Sequence, residues 1–284
     1  MRGSGDQAIA PAGVRSLAVL HWREYLIEGG ALATFMISAC TVGVLLEHPA
    51  SRAHAFLPDA LPRRAVFGVL MGLTAIALIY SPWGRRSGAQ MNPAVTLTFL
   101  RLGRIAPHDA IGYVVAQFVG GAAGVMVASR MLGAPLAHPA VHFVVTRPGM
   151  LGAFAAFVAE VAISALLMTM VLETGRSPRW KAFTGVIAGA LVALFITVEA
   201  PVSGMSMNAA RSVGSALAAE EWSTVWIYFI APLTGMMLAA ELFVRRRGRQ
   251  DIPCGKLAHA DPCLFCQHVA ARSTVGTLST RETL

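Results

Sequence analysis

Two octapeptides of this chain, SGAQMNPA at 87–94 and SGMSMNAA at 203–210, share the pattern Ser-Gly-x-x-Met-Asn-x-Ala at an offset of 116 positions. The likeness extends past them. YVVAQFVG from Tyr113 pairs with YFIAPLTG from Tyr228, 115 positions on, and Glu28 in IEGGALATF has a counterpart in Glu160 of AEVAISALL. A repeat constrains architecture more than any local propensity, because both copies must fold into the same unit. Around the octapeptides lie six apolar runs, roughly 25–46, 64–82, 109–132, 150–172, 181–200 and 224–244. Each has about the 20 residues a helix needs to cross a hydrocarbon core. With three runs per copy, the copies face opposite ways across the bilayer, an inverted repeat. Only 13% of residues are charged and 55% are hydrophobic, too little polar surface for a soluble domain.

The segments that follow the two asparagines, PAVTLTFLRLG and AARSVGSALAA, are each about three helical turns and too short to cross. Asparagine is a preferred N-cap, and Pro93 suits a first helical position, where its missing N–H costs nothing. Each segment therefore reads as a half-helix that starts near mid-membrane and returns to the side it came from. Irregular backbone at that depth survives only inside protein or along a wet cavity. The expected fold is an all-α membrane protein of six transmembrane helices plus two re-entrant half-helices.

The net charge of +8 follows the sidedness of membrane proteins, in which Arg and Lys gather in cytoplasmic loops. With the N-terminus inside, the inner segments hold fourteen Arg or Lys residues between Arg2 and Arg249, and the outer ones hold Arg52, Arg63, Arg64, Arg147 and Arg211. Both termini are expected in the cytoplasm. No basic array interleaved with aromatics points to nucleic acid. The first twenty residues lack the order of a cleaved signal, so the first span is expected to act as its own insertion signal. Arginine outnumbers lysine 21 to 2, and a bacterial inner membrane is the expected location. The expected organisation is an N-terminal segment 1–23, a channel domain 24–245 and a basic Cys/His-containing tail 246–284.

In these motifs the chain resembles the aquaporin and aquaglyceroporin family, the major intrinsic proteins. That family carries two Asn-Pro-Ala boxes in inverted halves, the second followed by arginine. Asn92, Pro93 and Ala94 match the first box fully; Asn208, Ala209 and Ala210, followed by Arg211, match the second except that Ala209 stands in place of proline. The resemblance implies half-helices meeting at mid-membrane in an aquaporin-like fold, one pore per subunit, and a homotetramer in the lipid. It also implies passage of water or small neutral solutes without a cofactor, a resident metal or catalysis. By family position the selectivity constriction falls on Met71, Ile196, Met205 and Arg211. The aromatic and histidine of a strict water channel are missing there, as is the aromatic pair of a typical glycerol channel. An apolar wall opposite one arginine suits a solute with one polar and one carbon edge, such as glycerol, urea or an undissociated weak acid.

Several polar residues need separate readings. Glu199, one turn beyond Ile196, is expected either at the outer mouth, pairing with or partly neutralising Arg211, or simply wetted at the membrane surface. Buried acids such as Glu28 and Glu160 are proton-carrier suspects by default; the family resemblance instead implies that they accept hydrogen bonds from the re-entrant loops. A coupled secondary transporter on the same inverted scaffold is the alternative reading. No nucleophile–base or metal set lies within the spans, so an enzyme is not expected. The tail offers Cys254, His259, Cys263, Cys266 and His268, credible zinc chemistry without the spacing of a standard finger; a flexible tail ending in RSTVGTLSTRETL is the competing expectation. RRRGR at 245–249 is expected to hold the last helix to anionic lipid.

Overall fold

The computed structural model describes residues 21–261 and 263–270; the expectations for residues 1–20 and 271–284 lie outside them. Eight helices carry the architecture: α1 (Trp22–Glu47), α2 (Ala60–Tyr80), α3 (Pro93–Arg101), α4 (Pro107–Leu132), α5 (Gly152–Arg176), α6 (Thr184–Val198), α7 (Ala209–Ala219) and α8 (Val225–Arg247). Six of them, α6 with its preceding turn from Lys181, are long and apolar enough to cross a membrane. The half-helices α3 and α7 have 9 and 11 residues. An even number of spans puts Trp22 and Arg247 on one side, here called the termini face.

The packing follows the repeat. Within each half the first span packs along the last, α1 on α4 and α5 on α8. Across the halves, α2 crosses α6, while each half-helix lies on the last span of the other half, α7 on α4 and α3 on α8. The α2–α6 crossing is close because glycines meet there. A Cβ on Gly72 would stand 2.5 Å from the Gly189 carbonyl oxygen, and one on Gly189 would stand 2.7 Å from that of Gly72. Without a hydrophobic force between helices in lipid, such close backbone approach supplies the van der Waals contact that holds them.

The outer faces are apolar: Leu26, Val69, Leu73, Ile111, Val115, Val119, Val158, Leu194, Ile230 and Leu242 are all exposed on the spans. All five tryptophans, Trp22, Trp83, Trp180, Trp222 and Trp226, are exposed at or just outside span ends. An amphipathic indole favours that level of a bilayer. The chain is an integral membrane protein.

Candidate functional site

Each half-helix is entered through a short loop of unusual backbone. Gly88 (φ 104°), Ala89 (50°) and Met91 (49°) are left-handed in the first loop; Gly204 (82°), Met205 (47°) and Met207 (53°) are left-handed in the second. Side chains other than glycine rarely hold that conformation, so something must hold the loop there. The buried glutamates do so. Glu28 accepts from Ser87 Oγ (2.8 Å), the backbone N–H of Gln90 (3.1 Å) and of Met91 (2.6 Å), and Gln117 Nε2 (3.1 Å). Glu160 accepts from Ser203 Oγ (2.8 Å) and the N–H groups of Ser206 (2.6 Å) and Met207 (2.7 Å). The tyrosines of the repeat close the frame: Tyr113 donates to the Ser87 carbonyl and Tyr228 to that of Ser203. Each glutamate is thus tied to backbone donors, the loop-holding role that the family resemblance implied for it.

This bonding decides where the carbonyls point. In a trans peptide the C=O lies opposite the following N–H. Since the N–H groups of Gln90 and Met91 face Glu28, the carbonyls of Ala89 and Gln90 face away from it. By the same reasoning the carbonyls of Met205 and Ser206 face away from Glu160. The loop residues Ala89, Gln90, Met205 and Ser206 all line a cavity of about 320 Å³ between the halves, so the carbonyl row turned from the glutamates belongs to the segments that border it.

The two asparagines line the same cavity. Asn92 Oδ1 accepts from the Ala94 N–H (2.9 Å), capping α3. Asn208 Oδ1 accepts from those of Ala210 (3.0 Å) and Arg211 (3.2 Å), capping α7. With both oxygens committed to their own helices, the amide orientation is fixed. Each Nδ2 then reaches across the repeat: Asn92 Nδ2 donates to the Met207 carbonyl and Asn208 Nδ2 to that of Met91, both at 2.7 Å. An NH₂ group has two hydrogens, so each amide keeps one beyond its cross-bond. The sequence pointed to the caps but gave no signal for the exchange of bonds between halves.

Ala209 leaves this geometry intact. The two caps have nearly equal backbones, φ −152° and ψ 118° at Asn92 against −153° and 107° at Asn208. The missing proline changes nothing at the cap, because the Asn208 side chain itself sets the first turn. Neither N–H used by Asn208 belongs to residue 209. Ala209→Pro should therefore retain the fold, raise stability by about 0.4–1 kcal/mol through the unfolded chain, and leave proton conductance in liposomes unchanged. A proton leak present in the wild type and abolished by the proline would contradict this.

Met71, Ile196, Met205 and Arg211 all line the same cavity as the asparagines. Arg211 Nη1 is buried with no hydrogen-bond partner among the described residues. A donor nitrogen so placed is costly in protein, while the residue itself is only partly buried and borders the cavity. Glu199 behaves differently from expectation. It is buried but absent from the cavity lining, and among the described residues no ion pair joins it to Arg211. The helix α6 ends at Val198 and turns away through Ala200–Ser203, so a one-turn extrapolation from Ile196 overshoots. At the outer rim Glu221 instead pairs with His142 (3.0 Å) and Arg147 (3.6 Å).

The tail also departs from a purely flexible segment. Residues Ile252, Leu257, Leu264 and Phe265 are buried in the main core, and Leu257 reaches the cavity itself. Cys254, His259, Cys263 and Cys266 come together, their ligand atoms all within 4.8 Å of one another.

The sequence profile described as Major intrinsic protein matches residues 15–243. A glycerol uptake facilitator protein-like 6 from Lactiplantibacillus plantarum is 33% identical over 196 residues, covering 68% of this chain and 88% of that one. A probable aquaporin NIP7-1 from Arabidopsis thaliana is 28% identical over 230 residues, 81% of this chain and 78% of the relative. Among solved structures, the aquaglyceroporin from Plasmodium falciparum superposes with a TM-score of 0.63 at 14% identity over 78% of this chain and 94% of its own, a likeness of fold.

Proposed function

Because the chain belongs to the major intrinsic protein family, we propose that it is a passive channel, and not an enzyme, passing water and small neutral solutes such as glycerol, urea or undissociated weak acids. The observation that carries this reading is the reciprocal bonding of Asn92 and Asn208 in one cavity. Two half-helix N-termini meet there, and their dipoles add to a positive potential at that point. A water or hydroxyl oxygen arriving from the carbonyl row accepts from both remaining amide hydrogens. Its own hydrogens then face outward in both directions, which interrupts the chain of donors and acceptors a proton needs. The same potential repels cations.

Arg211 adds a fixed charge nearer the face opposite the termini. Met71, Ile196 and Met205 oppose it with flexible or branched apolar surface, which admits a carbon edge beside a polar one. Coupled transport finds less support, since the two buried acids are already committed to loop donors. The arginine asymmetry of the loops favours termini in the cytoplasm, and the family resemblance favours a homotetramer. Stopped-flow swelling of proteoliposomes with water, glycerol, urea and a weak acid tests the reading. We expect water flux with at least one of the three solutes following. Water flux with every solute excluded would overturn the solute class, and no flux of any kind would overturn the channel.

A further inference from the structure

The tail cluster belongs to none of the machinery above. Its sulfurs are free thiols, with Cys254 Sγ 3.4 Å from Cys263 Sγ and 3.7 Å from Cys266 Sγ, and His259 Nε2 3.3 Å from Cys266 Sγ. A tetrahedral zinc ion with ordinary bond lengths of about 2.3 Å to sulfur and 2.0 Å to nitrogen puts its ligands roughly 3.5–3.8 Å apart. Three of the six ligand pairs already stand near those separations, and all four ligand atoms lie within 4.8 Å of one another. Three thiolates around a divalent ion leave one net negative charge, and the half-buried Arg104 guanidinium lies within electrostatic reach of Cys254 and Cys266.

The cluster also encloses the stretch of tail that meets the pore. Between Cys254 and His259, Gly255 accepts from Gln90 Nε2 (3.0 Å) and Leu257 donates its N–H to the Gly88 carbonyl (3.1 Å). Gln90 and Gly88 belong to the first re-entrant loop, and the Leu257 side chain lines the cavity at its termini-face end. Between Cys263 and Cys266, Phe265 packs edge-on against Tyr113, ring centres 6.1 Å apart. Arg104 fixes the approach by donating to the Ile252 carbonyl. The backbone of 254–261 forms neither helix nor strand, so ties at its ends restrict the conformations it can reach.

We propose that Cys254, His259, Cys263 and Cys266 bind one zinc ion, and that the occupied site pins Leu257 across the termini-face mouth of the pore, so that loss of zinc opens the channel. The site would lie in the reducing cytoplasm on the orientation proposed above, where thiols remain available to metal. The gating half rests on the channel reading; the metal half does not.

The test uses the full-length protein, purified with reductant and loaded with zinc chloride. One zinc per chain by elemental analysis is expected, falling to background in the double variant Cys263→Ser/Cys266→Ser. Hydrogen exchange at the Leu257 amide should quicken by about tenfold or more when zinc is chelated, and solute flux in proteoliposomes should rise under the same treatment. Should Cys263→Ser/Cys266→Ser prove unstable, chelation of the wild type gives the same comparison. Zinc no higher in the wild type than in the double variant would overturn the site. Bound zinc with unchanged Leu257 exchange would overturn the pinning. Faster exchange without a change in a measurable flux would overturn the gate, whereas absence of flux in every state would count against the channel reading and leave the zinc and exchange results to stand.

Discussion

Glu160→Leu should leave little folded channel. The substitution strands three buried donors at once, Ser203 Oγ and the N–H groups of Ser206 and Met207. Each buried donor without a partner costs about 1–3 kcal/mol, so several kcal/mol are lost against a total stability on the order of 5–15 kcal/mol. The left-handed residues Met205 and Met207 lose the contact that holds them, and the loop is free to relax out of the cavity. Glu160→Gln separates this account from a proton-carrier role. Its remaining oxygen can still accept from Ser203 and Ser206, but its NH₂ faces the Met207 N–H, so a smaller loss of about 1–3 kcal/mol is expected. Thermal aggregation of detergent-solubilised protein checks both. Leucine and glutamine variants that melt with the wild type would sink the idea, and a folded glutamine variant that lost proton-coupled uptake would revive the transporter.

Arg211→Ala should act on ions more than on the fold. Its guanidinium lines the cavity and keeps a buried donor without a protein partner, so its removal breaks no framework bond to a neighbour through that atom. What disappears is a fixed positive charge. Acting over roughly 7 Å at an effective dielectric near 20, one charge is worth about 2.4 kcal/mol against a passing cation, or about fifty-fold in its occupancy. Proton or sodium conductance across proteoliposomes should therefore rise by one to two orders of magnitude, while neutral solute flux persists or increases through the wider lumen. Arg211→Lys should restore most of the exclusion, since it keeps the charge. Conductance in the alanine variant equal to wild type would place the ion barrier wholly at the asparagines.

Much of this was legible in the sequence because it is written twice. One Asn-led octapeptide is an ordinary cap signal; two at a fixed offset, each after two apolar runs, locate a shared point in the membrane. Asn92, Asn208, Arg211, Met71, Ile196 and Met205 consequently fall around one cavity. What escaped reading were features that depend on aim and not on position. Whether Glu199 reaches Arg211 turns on the direction in which the chain leaves α6, and nothing in TVEAPVSG fixes that direction. The tail escaped for a different reason. Leu257, Leu264 and Phe265 have neither the helical nor the strand period, and their partners are a loop carbonyl at Gly88 and an aromatic edge at Tyr113, which carry no complementary signature.

The cross-bonds of the asparagines bear on how such a chain is made. Asn92 finds its acceptor at Met207, 115 residues later, so the first half enters the bilayer with its central amide and the Met91 carbonyl still unanswered. Neither half is then a finished unit by itself, and biosynthesis must hold the first in a provisional arrangement until the second arrives to complete it. Residues 21–132 and 150–270 supplied as separate polypeptides should assemble only when made together, each alone being prey to membrane proteases.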